Sequence, residues 1–277
     1  TCALPISYTV ANDSTLQFGG GTFSLTGNTT FTEATWTGGT FSGEESSSIA
    51  GTLNIAGGSD KYLAGVLTNT GTIIHNASSN GELYFQDGTL ENQVDAVYEL
   101  QSGELDTLSG TNAINNAGTF SKTTDGTGLI DVAFNNSGTV EVAGGTLNLS
   151  RGGSSNGGTY TVANDSTLQF GNGTHTLGQG TTLSGQGTLL ITNGTVEANA
   201  AITLLEKTDW TGGTLSGTGL TNDGTLNIAG GSDKYLAGVL TNKGTITHNA
   251  GSYGELYFRD GTLENQVDAV YELQSGE

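Results

Sequence analysis

A six-residue pattern returns along the chain, and its spacing constrains the fold more than any other feature. The pattern is a hydrophobic residue, a spacer, an asparagine, a second spacer and then Gly-Thr. It occurs at residues 67–72, 114–119, 134–139, 220–225 and 240–245, and in weaker form at 154–159. Asn116, Asn136 and Asn156 are spaced by 20 residues, and so are Asn222 and Asn242. One residue type at one phase of a fixed period of this size is typical of a solenoid.

A longer repetition is nearly identical from copy to copy. Residues 8–19 recur as 160–171, 51–69 as 224–242, and 88–104 as 261–277. The first pair is offset by 152 residues and the others by 173, a difference of 21, about one short repeat. A stacked solenoid tolerates a whole added coil because the phase of its neighbours is unchanged. We therefore predict one continuous solenoid over 8–277, with a long repeat at 8–159 and a second, partial copy at 160–277.

The ends of the chain do not look like natural boundaries. Residues 1–7 match nothing later, so we expect a leader outside the repeat, with an artefact as one explanation. The chain contains no Met, and it starts and stops inside repeats. These features favour an interior piece of a longer protein.

Hydrophobic residues alternate with polar ones after each Gly-Thr, as in a strand with one buried face. The predicted inward pairs are Leu53 and Ile55, Val140 and Val142, Leu147 and Leu149, and Leu226 and Ile228. The 46 glycines with a single proline fit short strands that end in tight turns. The sequence predicts an all-β parallel β-helix of about 20 residues per coil, with almost no helix. Stacked coils should align a structural asparagine ladder of Asn69, Asn116, Asn136, Asn156, Asn222 and Asn242.

Charge and cysteine content exclude several classes of protein. The net charge is −20, from 27 acidic and 7 basic residues. Nucleic acid is therefore not an expected partner, because binding depends on neutralised phosphates, and anionic membrane surfaces are disfavoured likewise. Cys2 is the only cysteine, so the chain cannot form an internal disulfide. No apolar run reaches transmembrane length.

The short pattern, together with GTVEVAGGTLNLSRGG at 138–153 and YTVANDSTLQFGNGTHTL at 160–177, resembles the repeats of a known group of proteins. These are the bacterial filamentous-haemagglutinin-like adhesins and autotransporter passengers, and the resemblance covers most of residues 8–277. It implies a single-stranded, right-handed parallel β-helix that is secreted or displayed on the bacterial cell surface. It also implies a role in adhesion or as a stalk, with host or neighbouring-cell glycans or matrix proteins as partners.

The densest acidic stretch lies between Glu82 and Asp106 and contains no Lys or Arg. Alternation predicts that Val94 points inward and that Asp95 and Glu99 point outward. The two carboxylates would then lie about 13 Å apart along one strand, too far to share a metal. They could meet another ligand only through a neighbouring coil. We expect a solvated acidic face.

No cofactor is predicted. The calcium-binding β-roll nonapeptide is missing, and residues 57–60 and 230–233 carry only fragments of it. Weak Ca²⁺ binding at these turns stays open.

An enzyme that cleaves polysaccharides is the main alternative, because β-helices host such enzymes. The short sequence motifs that are typical of those lyases and hydrolases are missing. Arg151 and Arg259 are the only arginines. Arg259 corresponds to Gln86 in the other long repeat, so that position is not chemically constant. We predict no enzyme. Carboxylates from adjacent coils with a Lys or Arg within reach would favour one.

The three histidines are His75, its counterpart His248, and His175. Their spacing matches neither a metal-binding motif nor the arrangement of a Ser/His/Asp triad. We expect them to face solvent.

Two pairs of aromatic residues are candidate ligand contacts. Trp36 and Trp210 occupy equivalent positions, and so do Tyr62 and Tyr235. A flat ring that recurs at one coil position could stack on a sugar ring, although the tryptophans could instead cover the core. We expect a rigid, non-enzymatic adhesin fragment that attaches through repeated weak contacts, with a purely structural stalk as the third hypothesis.

Overall fold

A computed structural model describes residues 16–25, 30–43, 48–78, 80–251 and 253–276. Every regular element in these ranges is a β-strand, and the strands pair in parallel. They form a β-solenoid of about 12 turns with roughly 21 residues per turn, which confirms the predicted fold class. The predicted leader at 1–7 lies outside the described residues.

The chain divides into two compact units, residues 1–121 and 122–277. The predicted boundary of the long repeat at 159/160 falls inside the second unit. There Thr139–Val142 pairs in register with Thr159–Val162. The continuity of the solenoid over 8–277 stays a prediction.

The first unit is built from short strands in three ladders. Its strands are β1 (Leu16–Phe18), β2 (Thr22–Leu25), β3 (Thr30–Trp36), β4 (Gly39–Gly43), β5 (Ser48–Gly57), β6 (Lys61–Leu63), β7 (Val66–Asn69), β8 (Thr72–Ala77), β9 (Leu83–Gln86), β10 (Thr89–Asn92), β11 (Val97–Ser102), β12 (Leu105–Ser109), β13 (Ala113–Asn116) and β14 (Thr119–Lys122). From β6 onward each strand pairs with the third strand along, as in β6–β9–β12, β7–β10–β13 and β8–β11. Three strands therefore make one turn.

The second unit repeats this arrangement. Its strands are β15 (Thr127–Asp131), β16 (Ala133–Asn136), β17 (Thr139–Val142), β18 (Thr146–Leu149), β19 (Gly153–Ser155), β20 (Thr159–Val162), β21 (Thr167–Phe170), β22 (Thr174–Leu177), β23 (Thr182–Gly185), β24 (Thr188–Ile191), β25 (Thr195–Ala198), β26 (Ile202–Thr203), β27 (Lys207–Trp210), β28 (Gly213–Asn222), β29 (Thr225–Gly230), β30 (Lys234–Asn242), β31 (Thr245–Ala250), β32 (Leu256–Phe258), β33 (Thr262–Asn265) and β34 (Val270–Ser275). The longest ladder runs β15–β18–β21–β24–β27–β29–β31–β34. Strand β28 contributes to two ladders, since its first part pairs with β25 and its last part with β26.

The core of each unit consists of the inward positions of these strands. All eight residues of the predicted inward pairs are buried. Parallel stacking places six of them over an apolar or aromatic residue of the next turn, as Leu147 lies over Leu168 and Leu168 over Leu189. The other two, Ile55 and Ile228, lie over His75 and His248. Burying an aliphatic side chain of this size stabilises a fold by roughly 1.5–3 kcal/mol. The stack therefore gains stability with each turn.

An asparagine ladder runs through the first unit. Asn69 Nδ2 donates to Asn92 Oδ1 at 2.8 Å and to the Val97 carbonyl at 2.8 Å. Asn92 Nδ2 in turn donates to Asn116 Oδ1 at 2.7 Å and to the Thr119 carbonyl at 3.0 Å. All three asparagines are buried. The amides of Asn69 and Asn92 each link two turns, and each also satisfies the carbonyl of the first residue of β11 or β14.

The second unit has the same ladder. Asn222 Nδ2 donates to Asn242 Oδ1 at 2.8 Å and to the Thr245 carbonyl at 3.1 Å. Asn242 Nδ2 donates to Asn265 Oδ1 at 2.6 Å and to the Val270 carbonyl at 3.0 Å. The sequence prediction missed Asn265 and its counterpart Asn92, because neither is followed by a spacer and Gly-Thr.

One predicted member of the ladder is wrong. Asn136 is buried and accepts a hydrogen bond from the Gly138 N–H at 3.2 Å. The residue in register with it on the next turn is Ser155. Asn156 is exposed, because the strand ends one residue before it and turns its side chain out of the stack.

The turns use aspartate as well as glycine in the left-handed region of φ. The aspartates with positive φ are Asp87, Asp95, Asp165, Asp260 and Asp268. At Asp95 the φ angle is 66° within a turn closed by a hydrogen bond from Ala96 N to Gln93 O. This turn breaks the alternation, so the prediction that Val94 points inward is wrong and its side chain is 68% exposed.

Candidate functional site

Stacked tyrosines form the most regular outward feature of both units. In the first unit, Tyr62 on β6 lies in register with Tyr84 on β9, and their ring centroids are 5.7 Å apart with planes 19° from parallel. In the second, Tyr235 on β30 and Tyr257 on β32 are 5.4 Å apart at 18°. Tyr62, Tyr84 and Tyr235 each lie between two buried neighbours on their strands, which directs their rings outward. Tyr257 follows the buried Leu256 and precedes the exposed Phe258. The predicted contacts Tyr62 and Tyr235 are thus partly exposed, and each has a second tyrosine beside it.

Three carboxylates gather beside the tyrosine pair of the first unit. Glu82 precedes β9, while Glu104 and Asp106 flank the start of β12 one turn later. One carboxylate oxygen from each lies within 4.8 Å of the others. Burial, followed by the negative charges of Asp106 and Glu82, raises the pKa of the Glu104 carboxyl. Carboxylate oxygens at this separation could hold a divalent cation.

Tyr84 connects the aromatic pair to these carboxylates. Its hydroxyl donates a hydrogen bond to Glu82 Oε2. That hydrogen bond is the main reason why the pKa of Tyr84 is raised, and the charges of Glu82, Asp60 and Asp106 add to it. The phenol therefore lies in a strongly negative environment.

The second unit carries a cation on its tyrosine pair. The guanidinium carbon of Arg259 lies 3.7 Å from the centroid of the Tyr235 ring. Arg259 directly follows β32. Its backbone N–H donates a hydrogen bond to the Leu236 carbonyl at 2.8 Å, which holds the residue in place. The equivalent residue of the first unit is Gln86, which is exposed.

The two tryptophans do not reach a ligand, and their prediction as contacts is wrong. Trp36 and Trp210 are 0% exposed. Trp36 packs between the rings of Phe18 and Phe41 at 5.5 and 5.9 Å and donates from Nε1 to the Gly38 carbonyl at 3.1 Å. Trp210 stacks between Ile191 and Ile228 in its ladder. Alternation already places both indoles inward, so they serve the core.

The histidines are buried as well, so the prediction that they face solvent is wrong. His75 Nδ1 is 2.8 Å from the Tyr98 hydroxyl, and His248 Nδ1 is 2.7 Å from the Tyr271 hydroxyl. Burial lowers the pKa of His75 to about 3. His175 stacks on a phenylalanine ring, and burial lowers its pKa to about 4. Each histidine is therefore a neutral core residue at physiological pH.

Buried lysines are a feature that the sequence analysis missed. Lys61 and its counterpart Lys234 are the first residues of the tyrosine strands β6 and β30, and both are fully buried. Lys61 Nζ donates to the Ser59 carbonyl at 2.7 Å, and Lys234 Nζ donates to the Ser232 carbonyl at the same distance. Each ammonium points inward to satisfy turn carbonyls, and burial lowers its pKa. Alternation could have predicted this burial, since each lysine stands two residues before a core leucine and therefore on the same face of its strand.

Only part of the acidic stretch between Glu82 and Asp106 contributes to a candidate site. Glu82 meets Glu104 and Asp106 from the next turn, which strand spacing alone could not show. Asp95 lies on an exposed turn, and Glu99 points outward as predicted.

Comparison of the chain with protein-family models, with curated proteins and with solved structures finds no match. Within the described ranges, no helix has the length and hydropathy needed to cross a bilayer. The resemblance to adhesin repeats therefore depends on the sequence motifs alone.

Proposed function

We propose that this chain is a non-enzymatic, rigid stalk segment of an extracellular adhesin-like protein that presents repeated weak contact sites. The parallel solenoid supports the stalk, because hydrogen-bonded ladders and stacked core residues bind each turn to the next. An acidic, weakly hydrophobic surface suits a secreted or cell-surface bacterial protein that must not adhere to itself. No cofactor is required for this role.

One observation carries the contact sites: the same tyrosine pair stands at the same place in both copies of the long repeat. Tyr62 with Tyr84, and Tyr235 with Tyr257, each offer flat aromatic area held in place by a strand. Aromatic rings of this kind bind sugar rings and protein side chains at low entropic cost. Contact sites that recur along one chain can add their affinities through multivalency. Host or neighbouring-cell glycans and matrix proteins are the proposed partners.

An array of glycans and matrix proteins tests this proposal. The double variant Tyr62→Ala, Tyr235→Ala removes one ring from each pair, and Tyr253→Ala is the matched control because that ring is 86% exposed elsewhere. We expect the double variant to lose binding that the control retains. Binding that is unchanged in the double variant, or missing from the native chain, would favour a purely structural stalk.

A polysaccharide-cleaving enzyme remains the second candidate because carboxylates from adjacent turns do meet. Glu82 and Glu104 have the proximity that paired acid–base chemistry needs. The neighbouring Lys61 does not supply a base to them, because its ammonium is bonded to turn carbonyls inside the fold. Release of reducing ends or unsaturated products from acidic polysaccharides, lost in Glu104→Gln, would replace the stalk proposal.

A further inference from the structure

The two long repeats differ at one position beside the tyrosine pair, and this difference indicates a ligand. In the second unit the guanidinium of Arg259 covers the Tyr235 ring at 3.7 Å. In the first unit the equivalent residue is the neutral Gln86. The two pairs otherwise have nearly the same geometry, with centroids 5.4 and 5.7 Å apart. The second unit is therefore an example of a tyrosine pair with a guanidinium bound to it.

Three carboxylates lie beside the tyrosine pair of the first unit. We name the set Tyr62, Tyr84, Glu82, Glu104 and Asp106 the tyrosine–carboxylate patch. Its three carboxylates lie within 4.8 Å of one another. Mutual repulsion contributes to the raised pKa of Glu104. A cation at the patch would relieve this repulsion and would find an aromatic face beside the carboxylates.

We propose that the tyrosine–carboxylate patch binds arginine side chains of a partner protein, in the manner that Arg259 binds Tyr235. The proposal rests on the proposed function, since it assigns a partner chemistry to the same tyrosine contact sites. A guanidinium stacks on an aromatic ring and donates a planar fork of N–H groups to carboxylates, which an ammonium cannot do equally well. The ring and the carboxylates of the patch supply both halves of that recognition.

Charge complementarity favours a basic protein partner over an acidic glycan. The chain has a net charge of −20, so basic segments are attracted and acidic polysaccharides are repelled. The expected complex is weak at one patch, because an exposed cation–π contact contributes only about 0.5–1 kcal/mol. Its affinity should fall as salt rises, since partly exposed charges are screened.

Peptide binding to the full chain tests the proposal. The probe is a glycine pentapeptide with arginine at its second and fourth positions, and its control carries citrulline, a neutral isostere of arginine, at both. Binding is measured by ligand-detected NMR at low and high salt. We expect the arginine peptide to bind more tightly than the citrulline peptide by about five-fold or more, which corresponds to about 1 kcal/mol.

A matched pair of variants locates the site. Gln86→Arg places in the first unit the arginine that the second unit already has, and we expect it to cover Tyr62 and weaken peptide binding several-fold. Gln93→Arg makes the same change of residue and charge on the exposed turn between β10 and β11, outside the patch, and should weaken binding less. Tyr62→Leu removes the ring at unchanged charge and should also weaken binding.

Equal binding of the arginine and citrulline peptides, or an equal effect of Gln86→Arg and Gln93→Arg, would overturn the proposal. These results separate it from the proposed function. If Tyr62→Leu abolishes capture of a glycan or matrix protein while arginine and citrulline peptides bind alike, the tyrosines are contact sites for another chemistry. If Tyr62→Leu leaves peptide binding unchanged and the double variant Tyr62→Ala, Tyr235→Ala leaves array binding unchanged, both proposals fail.

Discussion

The asparagine ladder should be the most sensitive part of the first unit to a single substitution. In Asn92→Ala, three hydrogen bonds are lost: one from Asn69, one to Asn116 and one to the Thr119 carbonyl. Each buried polar group that loses its partner costs about 1–3 kcal/mol. Allowing for local rearrangement, we expect a loss of about 4 kcal/mol in the free energy of unfolding.

Asn156→Ala is the matched control. It makes the same chemical change at an asparagine that shares the 20-residue spacing but lies exposed outside the ladder. Surface substitutions of this kind usually change stability by no more than about 0.5 kcal/mol. A third variant, Asn92→Asp, keeps the side-chain size but removes both amide donors, so it should destabilise the chain as Asn92→Ala does.

Denaturant unfolding followed by far-ultraviolet circular dichroism measures the stability of the three variants. Because long repeat arrays can unfold in parts, hydrogen–deuterium exchange should be followed in peptides that cover β7, β10 and β13. We expect faster exchange there in Asn92→Ala and unchanged exchange in Asn156→Ala. Equal stability of the two alanine variants would refute the ladder register and the energetic role assigned to it.

Three further predictions concern the core and the turns. Because burial lowers the pKa of His75 from its usual 6.5 to about 3, the unfolded state binds the additional proton as pH falls below 6.5. The free energy of unfolding should therefore fall by about 3 kcal/mol between pH 6.5 and pH 4. Unfolding curves of His75→Gln, which lacks the titrating ring, should show a smaller fall over the same pH range. Trp210→Ala should cost about 3–5 kcal/mol in denaturant unfolding, and a variant that keeps native stability but loses ligand binding would contradict the core position of this ring. Asp95→Ala should lower stability by about 1 kcal/mol because its φ angle is 66°, whereas Asp95→Gly should be nearly neutral; equal unfolding midpoints for these two variants would count against a strained turn.

Alternation predicted the core well because it is a local property of an extended strand. Leu53 and Ile55, or Leu147 and Leu149, need only their own neighbours in sequence to be assigned to one face. The same rule also places His75 inward, two residues after Ile73. Expecting a polar ring to face solvent gave the wrong answer there, because the Tyr98 hydroxyl of the next turn provides a buried partner.

The predicted positions of the asparagine ladder are wrong where the turns differ in length. Adjacent asparagines of the first ladder are 23 and 24 residues apart, not 20, since Asn69, Asn92 and Asn116 are separated by longer turns. At Ser155 the ladder continues with a different residue type, while Asn156 keeps the 20-residue spacing without the position. A fixed period in the sequence therefore approximates the register without determining it.

The sequence by itself determined the class of fold, the inward face of the four strands assigned from alternation, and the equivalence of the two long repeats. These follow from periods of two and about 20 residues, which local geometry and stacking impose on any chain of this kind. Only the tertiary structure decided which residues meet across turns: Tyr62 with Tyr84, Glu82 with Glu104 and Asp106, and Arg259 with Tyr235. The physical reason is that such contacts depend on the register between neighbouring turns. That register is set by the summed lengths of the loops and by the packing of the core, and no single stretch of sequence contains it.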